Sequence, residues 1–347
     1  MSAVLPWGSI RYMNARTTRW AHTPALPLLP SPIARPPFRP RSIANHMVTV
    51  WQPLSSRMII LAVSVVVWRW WSPTMIEAAT IRPGWVAEIW LRNIVVVLGS
   101  AGLTHLWLYR WRRQGDNLRY DARPLARKRL FLFGDQTKDN MFLTLTSGVA
   151  VWTAWESFMW WAYANGVAPR LDLGGSVIGT IGFAVLLLLI PVYSNNHFAV
   201  VHWLLHRGPA YRHVHSVHHK NVNVGPWSGL AMHPVEHVLL FADVWVFLLV
   251  ASSPLHLLFA MMHHGVGAPL SHTGYDAIEL RRGSSGNPLR LAVGDFHHQL
   301  HHRFIECNYG GLESPLDDWL DAFHDGTPEG DRQVAERRKR LAAARRT

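Results

Sequence analysis

The chain has 347 residues, enough for two or three soluble domains, but 49% are apolar, only 16% are charged and 18 are tryptophan. An ordinary soluble domain carries about 25% charged residues, so several separate soluble cores are excluded and a membrane protein is expected. A single cysteine, Cys307, excludes a disulfide framework and any multi-cysteine zinc or iron–sulfur site within one chain. The net charge of +12 excludes little by itself; no nucleic-acid partner is expected.

Residues 1–57 hold seven arginines, no acidic residue and a proline-rich stretch from Pro24 to Pro40. Such a segment has too few periodic apolar positions to pack a core and reads as a disordered basic leader. It lacks the apolar centre of a secretory signal. Its Arg-rich, acid-free character is like that of an organelle transit peptide, and a cytoplasmic leader or a true start at Met47 or Met58 reads equally well.

The apolar segments follow over 58–140 and beyond. A helical span needs about 20 apolar residues. Met58–Trp71 is short and interrupted by Arg69, so it is a weak span or an interfacial helix. Asn93–Tyr109, lengthened by Trp85–Leu91, is better. Met141–Ala164 is a third span with an aromatic belt of Trp152, Trp155, Trp160 and Trp161. Ser176–Tyr193 is the clearest. The connection Arg110–Lys138 carries nine Lys/Arg against one basic residue in each flanking loop. The positive-inside rule places that loop in the cytoplasm, and the fourth span returns there. Val238–Met262 is apolar, but Ser252-Ser253-Pro254 breaks it. It is expected as a re-entrant hairpin with both ends cytoplasmic. Residues 329–347 form a basic, Ala-rich helical tail suited to anionic lipid or to solvent.

Histidine carries the chemistry. Of 21 histidines, 18 lie between His197 and His324. His202 and His206 are spaced i, i+4 at the end of the fourth span, on one helix face. His215, His218 and His219 are spaced i, i+3, i+4, and His298, His301 and His302 repeat that pattern 83 residues later. One such group is weak evidence. Two triplets and a pair on one side of a membrane are a metal site, since histidines near hydrocarbon are costly. Eight imidazoles exceed the needs of one zinc ion and suit two metals; imidazole suits Zn, Cu, Fe and Ni alike. His105 and Glu156, inside the spans, are read as packing.

The pattern HxxxH, HxxHH, HxxHH resembles the fatty acid hydroxylase/sterol desaturase superfamily, the membrane-bound His-box oxygenases. Tyr211-Arg212, Asn221–Glu236, Ser271–Asp276, Glu306–Gly310 and Phe323–Thr327 extend the resemblance over about residues 140–328, with the domain set at 141–328. Those motifs look like the bacterial sterol-desaturase-like branch. Trp203, where many members have arginine, and Leu320-Asp321-Ala322 depart from the pattern without touching a proposed ligand.

The resemblance implies an all-α integral membrane bundle of about four spans plus the re-entrant hairpin, capped on the cytoplasmic face by a His-rich dimetal site. It adds His272 to the ligands. It adds one of the tandem His263–His264 as well, of which His263 is carried in the ligand set. His233 and His237 flank an element in which Glu236 could orient a ligand imidazole. The implied activity is O2-dependent desaturation or hydroxylation of a lipid, sterol or fatty acyl in type. Two iron ions would be the cofactor, O2 the co-substrate and zinc a substitute metal. Electrons would come from a separate carrier, cytochrome b5, ferredoxin or similar with its reductase. The alternatives are a zinc-dependent membrane enzyme and a non-catalytic metal transporter or sensor.

Overall fold

A computed structural model describes residues 20–171, 176–281 and 288–344. Helix α1 (Pro40–Val50) precedes α2 (Ser56–Trp70), whose first turn is capped by Ser55 Oγ accepting from the Met58 N–H. Helix α3 (Pro83–Arg110) passes through two π-turns, Leu98–Gly102 and Leu106–Arg110. Helix α4 runs over 136–164, entered at an Asp135 cap and also interrupted by a π-turn. Helix α5 (Val177–Leu205) begins at Ser176, which accepts from the Gly179 N–H at 3.3 Å. The core shared by α2, α3, α4 and α5 includes Ile60, Ile89, Val97, Trp152, Met159 and Ile190.

Of the four expected spans, α3 and α5 are long and apolar enough to cross a membrane. At 1.5 Å per residue α2 reaches only about 22 Å, short of a hydrocarbon core of about 30 Å. Helix α5, at about 43 Å, outruns that core. Its apolar run ends at Tyr193-Ser194-Asn195-Asn196, so the turns carrying His202 and His206 project past it. Inside the bundle, Glu156 is fully buried and paired with Arg92 at 2.5 Å, with Asn93 and Trp160 also donating to its carboxylate. His105 stacks on Tyr109 at 5.4 Å. Packing accounts for both groups.

Residues 238–262 form a hairpin. After the short helix α6 (Gly208–His213), helix α7 (Pro234–Leu240) runs into a 3-10 stretch, Phe241–Leu248, and the chain returns along a helix (Pro254–Met262). Its tip, Ser252, exchanges backbone hydrogen bonds with Pro169 and Leu171 in the connection between α4 and α5. That connection lies about 38 Å along α5 from His202. The 3-10 rise of about 2.0 Å per residue stretches the descending arm to about 26 Å, which is how so few residues reach so far.

Two further expectations are corrected. The fold is not wholly helical: β1 (Ala277–Arg281) and β2 (Leu289–Ala292) pair antiparallel, with Ile278 opposite Leu291. Ala277 and Ile278 are buried and Leu280 exposed, and the pairing register shifts between Glu279 and Arg281. The basic leader, expected to be disordered, is placed against the histidine-bearing part from residue 20 onward; residues 1–19 lie outside the described residues. Ala21 donates to Tyr120, Leu28 to Asp325 and Ser31 to Leu312 through their backbones. Arg57 and His46 both donate to Glu313, at 2.5 and 2.7 Å. Local composition missed this because the leader borrows partners distant in sequence rather than making a core of its own. The basic loop 111–135 also packs at the histidine end, with Tyr120 N–H donating to Gly274 and Arg303 to Asp121.

Candidate metal centre

The three histidine groups arrive on three different local structures. His202 sits in the last turn of α5 and His206 caps it. His215, His218 and His219 lie on a 3-10 helix, His215–Lys220, rather than the α-helix their spacing suggested. His298, His301 and His302 lie on a short helix, Phe296–Phe304, whose N-terminus is capped by Asp295 accepting from the His298 N–H at 3.1 Å. The third group keeps α-helical register and the second does not, yet both deliver three rings inward.

The rings sort into two adjoining sets. His202, His206, His215, His219 and His301 form one, His218, His272, His298 and His302 the other; within each set one nitrogen per residue lies within 4.8 Å of every other. All nine side chains are buried. Of the ten sequence candidates, the structure brings nine together. His263 is the exception: its Nδ1 donates to the Phe259 carbonyl at 2.7 Å, and it packs on the Phe259 ring. Its neighbour His264 faces Asp243 Oδ2 at 2.9 Å instead. The π-turn His263–Gly267 directs both away from the other ligands.

The nitrogen contacts identify what the sets could hold. His219 Nε2 lies 3.0 Å from Nε2 of His215, 3.0 Å from that of His301 and 3.2 Å from that of His206. In the second set, Nε2 atoms of His272, His298 and His302 are 3.1–3.2 Å apart. His202, His215 and His301 spend Nδ1–H on acceptors: the Tyr309 carbonyl at 2.6 Å, Glu236 Oε1 at 2.7 Å and the Cys307 carbonyl at 2.6 Å. His272 Nδ1 faces the Ala268 carbonyl at 2.9 Å. Neutral rings so oriented present bare lone pairs at Nε2, and the buried His202 Nε2 has no partner. Lone pairs converging in this way repel unless a cation sits among them. Ligands at about 2.0–2.1 Å from a metal stand about 2.9 Å apart at right angles and about 3.4 Å apart at the tetrahedral angle. The observed spacings fall between these values, so the residues fit a metal in each set.

Burial keeps the ligands in the state a metal needs. Desolvation drives His215, His218, His219, His298 and His302 well below the ordinary imidazole pKa of 6.5, with neighbouring histidines adding to it. The same cause takes His301 to about 3 and His272 to about 4. Five nitrogens in one set exceed the four of a closed structural zinc site.

The outer contacts explain motifs that sequence reasoning noted without a role. Glu236 Oε1 accepts from Nδ1–H of His215, one of the five rings of the first set. The Glu306–Gly310 segment supplies the Cys307 and Tyr309 carbonyls. Asp317, which sequence reasoning missed, holds that loop by accepting from the backbone N–H of Tyr309 at 2.6 Å and Gly310 at 2.9 Å. Asn308 bridges to His297 and His324 through their backbones. His237 donates to Leu230 and His233 caps Val235; neither reaches the metal sets. A small cavity beside the first set is lined by Phe198, Val201, Leu205, Met232 and Leu240, with His202 and Glu236 at its polar end.

A family model described as fatty acid hydroxylase matches residues 186–322. The Delta(7)-sterol 5(6)-desaturase ERG3B of Gibberella zeae is 29% identical over 150 residues, covering 43% of this chain and 44% of that relative. The matched region is thus less than half of either protein. No solved structure matches the chain.

Proposed function

Residues 186–322 belong to the fatty acid hydroxylase/sterol desaturase superfamily, and from that premise we propose that the chain is a membrane-bound oxidoreductase that desaturates or hydroxylates a lipid. The observation that carries the reading is the pair of adjoining all-nitrogen sets, five and four imidazoles, with bare Nε2 atoms facing one another. Two iron ions held there would supply the O2-dependent redox chemistry that no side chain offers. His202, His206, His215, His219 and His301 would hold one ion, and His218, His272, His298 and His302 the other.

The chain's own residues do the rest. Carbonyls of Tyr309, Cys307 and Ala268, with the Glu236 carboxylate, fix ring orientation and keep the Nε2 lone pairs inward. Complete burial of the nine rings excludes bulk water from an oxidising centre. The cavity between α5 and α7 is no larger than a water molecule, so its apolar walls beside His202 would have to part to admit an alkyl or ring carbon. Its lining, Phe198 and Val201 on one side and Met232 and Leu240 on the other, belongs to elements that also expose Val200, Leu204, Val235 and Leu239. A lipid substrate reaching this cavity sideways from the bilayer is therefore part of the proposal. So is the cytoplasmic position of the histidine end, which rests on the basic loop packed there and the positive-inside rule.

The test is turnover with a lipid extract as substrate, with and without oxygen and reductant. Both should be required. Under 18-O2 a hydroxylase places label in the product alcohol, and a desaturase releases it as water. Undiminished lipid turnover under strict anaerobiosis would refute the proposal.

A further inference from the structure

A second buried polar group lies below the histidine sets, in the seam between α5 and the hairpin arm that continues α7. Ser194, Phe198 and Val201 are spaced i, i+4, i+7 and share one face of α5. Glu236 and Leu240 on α7 and Asp243 on the 3-10 stretch share one face of the facing arm. Phe198, Val201, Leu240 and Glu236 line the cavity beside His202. One turn further from the histidines, Ser194 and Asp243 close the seam, the Ser194 hydroxyl donating to Asp243 Oδ2 at 2.8 Å. From Ser194 to His202 helix α5 rises about 12 Å.

Asp243 is fully buried, and both of its side-chain donors go to one oxygen. His264 Nε2 donates to Oδ2 at 2.9 Å beside the Ser194 hydroxyl, and the Tyr193 hydroxyl fixes the Asp243 backbone by donating to its carbonyl at 3.0 Å. Oδ1 is buried with no partner among the described residues. His197, close by on α5, lies within electrostatic reach of Asp243 and His264. A packing role accounts for Oδ2, which ties α5 to the hairpin, but not for Oδ1. A bare carboxylate oxygen inside an apolar bundle is costly, and ionisable groups at such depth mark sites of function. Its complement is a hydrogen-bond donor. An acceptor-only group would bring lone pair against lone pair, and an anion would meet the carboxylate charge.

We propose that Asp243 Oδ1 receives the hydroxyl of a neutral lipid alcohol, whose skeleton runs through the parted seam to His202. The inference rests on reading the centre as lipid-oxidising. The hydroxyl is held about 12 Å from the turn that carries His202, so the carbon oxidised is remote from the carbinol carbon rather than next to it. Asp243 is then a specificity-determining residue, selecting an alcohol over the ketone or acid of similar skeleton.

The experiment measures retention of tritiated lipid by the full, iron-loaded chain in dodecylmaltoside micelles, without oxygen or reductant so that nothing turns over. Cholestanol is compared with cholestan-3-one, and heptadecan-2-ol with heptadecan-2-one and heptadecanoate, so the two arms separate a sterol from a single-chain alcohol. In at least one arm the alcohol should bind about tenfold or more tighter than its ketone, and heptadecanoate should bind more weakly than heptadecan-2-ol. In Asp243→Asn, Ser194 and His264 hold the amide oxygen where Oδ2 stood, so an N–H2 donor takes the place of Oδ1. The ketone should gain affinity and the preference should vanish, with melting temperature and iron content unchanged. Equal binding of alcohol and ketone by wild type in both arms overturns the site, as does tighter binding of heptadecanoate than of the alcohol. A preference that survives Asp243→Asn overturns the assignment to Asp243; should that variant not fold, the wild-type comparison still decides. A product oxidised beside the carbinol carbon overturns the spacing. Oxygen-dependent lipid turnover without alcohol preference refutes this site alone, whereas alcohol preference in a protein that turns lipid over equally without oxygen refutes only the reading beneath it.

Discussion

Replacing Glu236 tests whether the two metal positions are held separately. Glu236 Oε1 accepts from His215 Nδ1–H at 2.7 Å, both side chains are buried, and Oε2 has no partner. The carboxylate therefore acts through one imidazole, and that imidazole belongs only to the five-nitrogen set. Removing such an outer contact typically costs 10–100-fold in metal affinity, or about 1.4–2.7 kcal/mol. Glu236→Gln keeps the size and an acceptor oxygen but removes the charge, so the loss should lie near about tenfold. Glu236→Ala leaves a buried N–H unsatisfied, a further cost of about 1–3 kcal/mol, and should lie at or beyond the upper end. Stepwise chelator titration with metal analysis should show one of two metals released early while the other keeps its wild-type affinity. Parallel weakening of both metals, or of neither, would refute the assignment of Glu236 to one set.

Three further outcomes follow from the same geometry. His301→Ala should remove metal from the five-nitrogen set and abolish turnover, whereas His263→Ala should leave metal content unchanged, as measured by elemental analysis of purified protein. Metal-free protein should lose stability as pH falls below about 6.5. His237 and His272 titrate at about 4 and His297 and His301 at about 3 in the folded state, all lowered by desolvation, so the unfolded chain binds protons first. The stability these neutral rings provide is present above about pH 6.5 and is lost progressively toward pH 4, each group adding a slope of up to about 1.4 kcal/mol per pH unit; melting temperatures across that range measure it. Gly265→Ala should destabilise the bundle by about 1–3 kcal/mol or more, because a Cβ there would lie 2.2 Å from the Trp152 ring. Trp152 is fully buried and stacked on Phe241, and thermal unfolding in nanodiscs would read the loss.

What the chain alone determined is the histidine-rich character of the candidate site and the identity of nearly all the rings that come together there. Imidazoles repeated at helical spacing after an apolar span signal metal binding, because such a pattern has no packing purpose. Glu236 and His272 were likewise legible, through motif resemblance. Tertiary structure decided the rest. His263 and His264 are adjacent to the same run of sequence, yet a π-turn sends one to a backbone carbonyl and the other to Asp243, a choice that composition does not encode. The second histidine group sits on a 3-10 helix, and its rings converge because neighbouring elements close around them rather than through α-helical spacing. The leader illustrates the same limit. Proline, arginine and the absence of a core pattern describe a segment that cannot fold by itself, but Ala21, Leu28, Ser31 and Arg57 find partners about 100 to 300 residues away. Division of nine rings into five and four is also a property of the assembled fold. His218 and His219 are neighbours in sequence, and only the directions in which the folded backbone points their rings place them in different sets.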